Sequence, residues 1–250
     1  MPRRPVRFAL ALALLVGALA APASAQRNYK PQSPAAAARK FERVGRFAKK
    51  LPQVRAKVRA ALRAPTPDLE TAVAAIVRIM DTAYVRVGSE RYARKDEPSF
   101  GASSLRKEHV TVKGDTVRFR FTGKSGVSWD RTVQDPELAR VVGVFLKQPG
   151  SRLFQVRGPD GSLAPVTERD VRAFLAPWGA KPKDFRTLHA NRLLQAELAA
   201  VPTPPPGAGR EATLLGVIRS VAKKLGHTPA VSRGSYLDPA LIRAYLTKGR

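Results

Sequence analysis

Cysteine is absent from the 250 residues, which removes disulfides, thiolate zinc sites and cysteine nucleophiles together. Histidine is scarce. His109, His189 and His227 are scattered without the spacing that brings two imidazoles to one metal, so no histidine-based metal centre is expected. Acids are also few, 19 Asp and Glu against 45 Lys and Arg. Those that lie near one another sit at ordinary helix starts and loops, not in the carboxylate clusters of a metal-dependent nuclease. What the chain has instead is positive charge, a formal net +26. Self-repulsion on that scale destabilises a compact state, so a polyanionic partner is implied, nucleic acid first. With 44% hydrophobic residues the chain is nevertheless a globular one that buries a core, unlike a disordered basic tail.

Residues 1–25 combine Arg3, Arg4 and Arg7, an apolar run from Phe8 to Ala21 and a final Ala23-Ser24-Ala25, the layout of a cleaved secretory signal. The run falls short of the about 20 apolar residues that span a bilayer, so no stable membrane insertion is expected. Removing it takes three arginines and no acid, and the remainder still carries +23. The basic character belongs to the body, residues 26–250.

In that body, residues 33–64 have apolar side chains at helical spacing with a break at Pro52, which predicts two helices. A strongly apolar helix follows Asp68 and is expected to end near Gly88, with Arg86 at its C-terminal end. Residues 108–133 change to period two, with turn signals at Lys113-Gly114-Asp115 and Gly123-Lys124-Ser125-Gly126. This predicts a three-stranded antiparallel sheet with Lys124 in its second turn. Helices return at 136–147, after Thr167, at about 182–200, after a Pro-rich loop at 202–210, and after Asp238-Pro239. Gly226 reads as a C-terminal cap. The fold class is therefore mainly α (α+β), with one small antiparallel sheet.

Gly123-Lys124-Ser125 is not a phosphate-binding loop: Arg118 stands where the first glycine belongs, and a strand follows where a helix is needed. A metal-free route to a phosphodiester remains: guanidiniums on the non-bridging oxygens, a hydroxyl nucleophile and a proton donor for the leaving oxygen. Five blocks carry those groups: Arg86–Ala93 (RVGSERYA), Ser103–Val110 (SSLRKEHV), Arg118–Gly126 (RFRFTGKSG), Lys183–Thr187 (KDFRT) and Leu225–Tyr236 (LGHTPAVSRGSY). In this order they resemble the small type IB DNA topoisomerases of poxviruses and bacteria, over about residues 35–248.

The resemblance implies a helical tyrosine-recombinase/topoisomerase IB catalytic domain acting on double-stranded DNA as a monomer, with no cofactor and no metal. It implies Tyr236 as the nucleophile that forms a 3′-phosphotyrosyl link, Arg86 and Arg186 on the scissile phosphate, Lys124 as general acid to the 5′ oxygen and His227 on a non-bridging oxygen. Lys183 could assist proton transfer, and His109 and His189 are assigned to structure. All five site residues are expected in one pocket, the hairpin tip bringing Lys124 to the others. Two alternatives stay open: a tyrosine recombinase, although that group usually has His where Lys183 stands, and a basic DNA-binding protein with a vestigial site. The second is kept open by two departures from the family: the export signal, and only about ten residues where a β-rich N-terminal clamp domain normally precedes the catalytic helices.

On charge alone, DNA affinity is expected to be mostly electrostatic. With on the order of 6 to 10 phosphate contacts, it falls by roughly 10³ to 10⁵ between 50 and 200 mM salt. Fluorescence anisotropy on an arbitrary duplex measures this, and a flat salt response contradicts it.

Overall fold

The computed structural model describes residues 33–64, 66–158 and 160–249; the signal-like segment and the question of a preceding clamp domain lie outside them. Helix α1 (Pro34–Leu62) starts at Ser33, whose hydroxyl accepts from the Ala36 N–H. It runs straight through Pro52, where two helices were expected. The reason is packing. Pro52 is exposed, while the stripe Val44, Phe47, Leu51, Val54 and Val58 is buried and keeps its phase across the proline. One missing backbone hydrogen bond on the solvent side is outweighed by a continuous apolar face.

Helix α2 (Leu69–Thr82), capped by Asp68 on the Thr71 N–H at 2.8 Å, is buried along most of its length. It ends well before Gly88. Tyr84 takes φ +60°, the left-handed position after a C-cap that glycine usually fills, at a cost of about 1–2 kcal/mol. The sequence offers no glycine there to announce the stop. Tertiary contacts hold the residue: its ring packs on His189 at 4.9 Å between centroids, and its carbonyl accepts from Arg186. Arg86 consequently lies on an extended segment, not on a helix end. Its carbonyl accepts from the Ala102 N–H at 2.8 Å and that of Val87 from the Ser103 N–H at 2.7 Å. The two chains cross at Gly88 and Gly101, where a Cβ on Gly101 would lie 2.5 Å from the Gly88 backbone.

After the short helix α3 (Glu90–Ala93), strands β1 (Val110–Lys113), β2 (Thr116–Thr122) and β3 (Ser128–Gln134) form the expected antiparallel sheet. Val110 pairs with Phe119, and Phe121 with Trp129. Helix α4 (Pro136–Leu146) packs on the sheet. A second hairpin pairs β4 (Gln155–Arg157) with β5 (Leu163–Pro165); three-residue strands are too short to show alternation in the sequence. In α5 (Glu168–Leu175) the capping box is formed, with Asp170 accepting from the Thr167 N–H at 2.8 Å. Helix α6 (Pro182–Ala199) follows. Helix α7 (Ala208–Lys224) begins inside the stretch read as Pro-rich loop, and α8 (Pro229–Ser235) and α9 (Pro239–Lys248) close the chain.

The buried side chains fall into two cores. One gathers α1, α2, the sheet, α4, α5 and the start of α6, including Phe185 and Leu188. The other gathers the rest of α6, with Ala190 and Leu194, and α7 to α9. Helix α6 is their common wall. No helix among the described residues is long and apolar enough to cross a membrane.

Between α1, α2 and α6, Asp81 accepts from Arg55 Nε at 2.7 Å and pairs with His189 Nε2 at 2.8 Å. Burial would raise its pKa, but the His189 and Arg55 hydrogen bonds bring it down to about 2. The carboxylate's contribution to stability is therefore complete above the ordinary carboxylate range and lost as pH falls through about 2. Asp81→Asn should lower neutral-pH stability by about 1–3 kcal/mol and remove that acid-dependent component, as read from urea unfolding at a series of pH values.

Candidate active site

Helix α6 is set by its first turn. Asp184 accepts from the Lys181 N–H at 2.9 Å and from Arg43 of α1 at 3.0 and 2.8 Å, a half-buried two-pronged ion pair that docks the helix start. Two residues on, Arg186 is only 2% exposed. Its guanidinium donates to the carbonyls of Tyr84 and Leu225 and meets Nε2 of His227, while its buried Nε has no partner. Burial, and then the charge of Arg86, push it down to about 9, which leaves it a cation at neutral pH.

Tyr236 follows α8, whose last four residues are the Ser-Arg-Gly-Ser connector that leads to it. That connector is helical, started by Thr228 capping the Val231 N–H at 3.2 Å, and Tyr236 is buried at 3% exposure. Asn191 of α6 donates to the Tyr236 carbonyl at 2.9 Å and accepts from the Asp238 N–H at 2.7 Å, which pins the backbone on the tyrosine's C-terminal side. Arg86 Nη1 donates to the phenol oxygen at 2.8 Å. His227 stacks on the ring at 4.2 Å between centroids, and Lys183 Nζ and the Arg186 guanidinium lie 5.2 and 5.7 Å from its centre.

Burial by itself would raise the phenol pKa, but Arg86, Arg186 and Lys183 outweigh it and the net shift is downward. The same surroundings, burial first and then Arg186, Arg86 and Lys183, hold His227 far below its ordinary value. Its imidazole is neutral. With Nε2 facing a guanidinium that can only donate, the proton belongs on Nδ1, 3.2 Å from Ser232 Oγ. No carboxylate among the described residues forms an ion pair with Arg86, Arg186 or Lys183.

Arg86, Arg186, His227 and Tyr236 thus stand together; Lys124 does not join them. It is exposed at the tip between β2 and β3, where Ser125 takes φ +63°, and it lines an open groove of about 2020 Å³ with Tyr92, Lys95, Arg118, Arg120 and Trp129. None of the other four lines that groove. The hairpin is tied to the cluster from beneath. Trp129 lies 5.8 Å from the Arg186 guanidinium, and a Cβ on Gly226 (φ +57°) would approach its ring to 2.9 Å. Arg131 donates to the Lys224 carbonyl at 2.8 Å, at the end of α7. His109 accepts the Arg106 N–H at 3.0 Å and packs on Phe100, and His189 is held by Asp81.

Sequence reasoning missed Asn191, Trp129 and the Tyr84 carbonyl. A signal existed for the first: α6 buries Asp184, Arg186, Thr187, His189 and Asn191 beside its leucines, a polar load that a purely structural helix rarely carries. No group of three or more His, Asp or Glu residues suited to a metal ion occurs among the described residues.

The catalytic-core model of eukaryotic DNA topoisomerase I matches residues 29–244. The chain belongs to this family. It is 29% identical over 216 residues to the DNA topoisomerase 1B of Acanthamoeba polyphaga mimivirus, covering 82% of this chain and 64% of that protein. To the DNA topoisomerase 1B of Vaccinia virus (strain Copenhagen) it is 25% identical over 171 residues, 67% of this chain and 52% of the relative. To the DNA topoisomerase 1 of Candida albicans it is 26% identical over 166 residues, 64% of this chain and 20% of the relative. The chain spans between about half and just under two thirds of the two viral relatives.

Proposed function

We propose that this chain is a type IB DNA topoisomerase, relaxing supercoiled double-stranded DNA through a transient 3′-phosphotyrosyl nick, with neither ATP nor metal. The observation that carries this reading is the phenol of Tyr236, ringed by Arg86, Arg186 and Lys183, none of which is ion-paired to a carboxylate among the described residues. A phosphodiester supplies the missing negative charge. In the free protein the guanidinium donors are turned onto the phenol, two carbonyls and His227; a phosphate entering between them takes those donors over. Arginine suits the task because its fork meets two oxygens and keeps its charge.

The phenol oxygen attacks phosphorus in line, forming the O–P bond as the P–O5′ bond breaks, and its proton passes to water. The cations that lower its pKa favour that loss. Lys124 gives a proton to the departing 5′ oxygen once duplex DNA lies in the groove it lines beside Arg118 and Arg120. The 5′ end rotates and attacks the phosphotyrosine, which restores the strand without an energy source. His227 contacts a non-bridging oxygen after Arg186 turns from its Nε2 to the phosphate. Residues 26–250 are read as one catalytic domain that acts as a monomer.

Wild type should relax a supercoiled plasmid in EDTA without nucleotide and yield a detergent-trapped covalent adduct. Tyr236→Phe should abolish both while leaving DNA binding nearly intact. Lys124→Ala should slow cleavage by roughly the 10²- to 10⁴-fold typical of a lost general acid, and a 5′-thio leaving group should rescue it. Equal relaxation by Tyr236→Phe overturns the nucleophile assignment. Binding without relaxation at low salt points instead to a DNA-binding protein with a vestigial site.

A further inference from the structure

Lys40 lies on the buried stripe of α1, one helical turn before Val44 and in phase with Phe47 and Leu51, where an apolar residue is expected. It is only 7% exposed. Its Nζ donates to the Ser235 carbonyl at 3.2 Å and rests 4.1 Å from the Phe41 ring centre. Burying an ammonium costs several kcal/mol unless it is hydrogen-bonded or paired, so its presence there needs a reason beyond packing. None of the steps above uses it.

The reason lies in what its carbonyl partner belongs to. The Ser235 carbonyl and the Tyr236 N–H share one peptide plane. At the end of α8 that carbonyl would look for an N–H four residues on, and the residue there is Pro239, which has none. Lys40 supplies the donor from another helix. The opposite edge of the same plane is held by the Tyr236 N–H, which donates to the Ser232 carbonyl at 3.0 Å. Beyond the tyrosine, Asn191 holds the next carbonyl. The backbone on both sides of the phenol is thus gripped from outside its own helix, by α1 before it and by α6 after it. Any rotation of the 235–236 plane swings the ring away from the Arg86 donor.

We propose that Lys40 is a positioning residue for Tyr236, its ammonium fixing the Ser235–Tyr236 peptide plane and through it the direction in which the phenol attacks. The inference rests on Tyr236 being the nucleophile and adds α1 to the working parts of the site. The charged and titratable groups around Lys40 are Lys183 on α6, Tyr236 and Asp238 on the α8–α9 stretch, and Arg43 on its own helix. Burial first, then Lys183, bring its pKa down to about 8; Asp238 and Tyr236 pull the other way, and Arg43 adds to the lowering. The charge on the strap is therefore present below about pH 8 and lost above it.

The test is the first-turnover rate of adduct formation on plasmid DNA at saturating protein, with affinity and thermal melting measured in parallel. Lys40→Met should slow adduct formation by about ten- to a hundredfold, the scale of one hydrogen bond to a charged group, with little change in affinity. Lys40→Arg keeps a cation that does not titrate in this range and should restore most of the rate. As pH rises through about 8, wild type should slow relative to Lys40→Arg. A wild-type rate in Lys40→Met overturns the proposal. So does a Lys40→Arg that is as slow as Lys40→Met, or that tracks wild type at every pH, since a purely structural lysine gives those results. If wild type forms no adduct, the topoisomerase reading falls and this inference with it; if all three chains form adduct equally fast, only this inference falls.

Discussion

The structure turns on one buried cation. Arg186 sits between two hydrophobic cores with no carboxylate partner among the described residues, and so buried an ion depends on the acceptors that its two terminal nitrogens find, its Nε having none. Two of the acceptors are carbonyls, and each exists because the backbone is bent for it: Tyr84 is held in the left-handed region, and Leu225 is the last residue before the left-handed Gly226. The first carbonyl comes from the end of α2 and the second from the end of α7. One guanidinium on α6 therefore staples the two cores at the line where they meet.

The distribution of acids follows from the same constraint. With 19 carboxylates for 45 cations, the buried acids are placed where elements dock: Asp184 with Arg43 joins α6 to α1, Asp81 with Arg55 and His189 joins α2 to both, and Asp135 with Arg78 joins α4 to α2. Glu90 holds Arg106 and Arg152 together behind the Arg86 segment, and that pairing keeps its carboxyl below the usual range despite partial burial. Around Tyr236, by contrast, Arg86, Arg186 and Lys183 make no carboxylate ion pair among the described residues, while the groove mixes the two signs, with Arg118 paired to Asp130 at 2.6 Å.

A phenol in this setting is held more tightly than its position near the chain's end suggests. His227 stacks on one face, Arg86 meets the oxygen, and the flanking peptide groups are bonded to α1 and α6. Together these contacts confine the hydroxyl to one direction. Lys124 is built differently, on a hairpin tip open to solvent, in a sheet that Trp129 and Arg131 seat against the end of α7.

The sequence by itself determined the fold class, the sheet and its turns, and most helix starts, because these depend on local periodicity and capping groups; the candidate site residues came from short contiguous blocks. It also determined the family, since the blocks keep their order. Only tertiary structure decided that α1 passes unbroken through Pro52, that α2 stops at Thr82 on a left-handed tyrosine, that the connector before Tyr236 is helical, and that Lys124 stands apart from the other four. For the two helix ends and the backbone at Tyr236, partners far along the chain contribute. Phe185 lies against Phe47 at 4.9 Å between centroids, His189 under Tyr84, and Lys40 is bonded to Ser235 across 195 residues. Spacing within one segment carries no trace of contacts made across such distances.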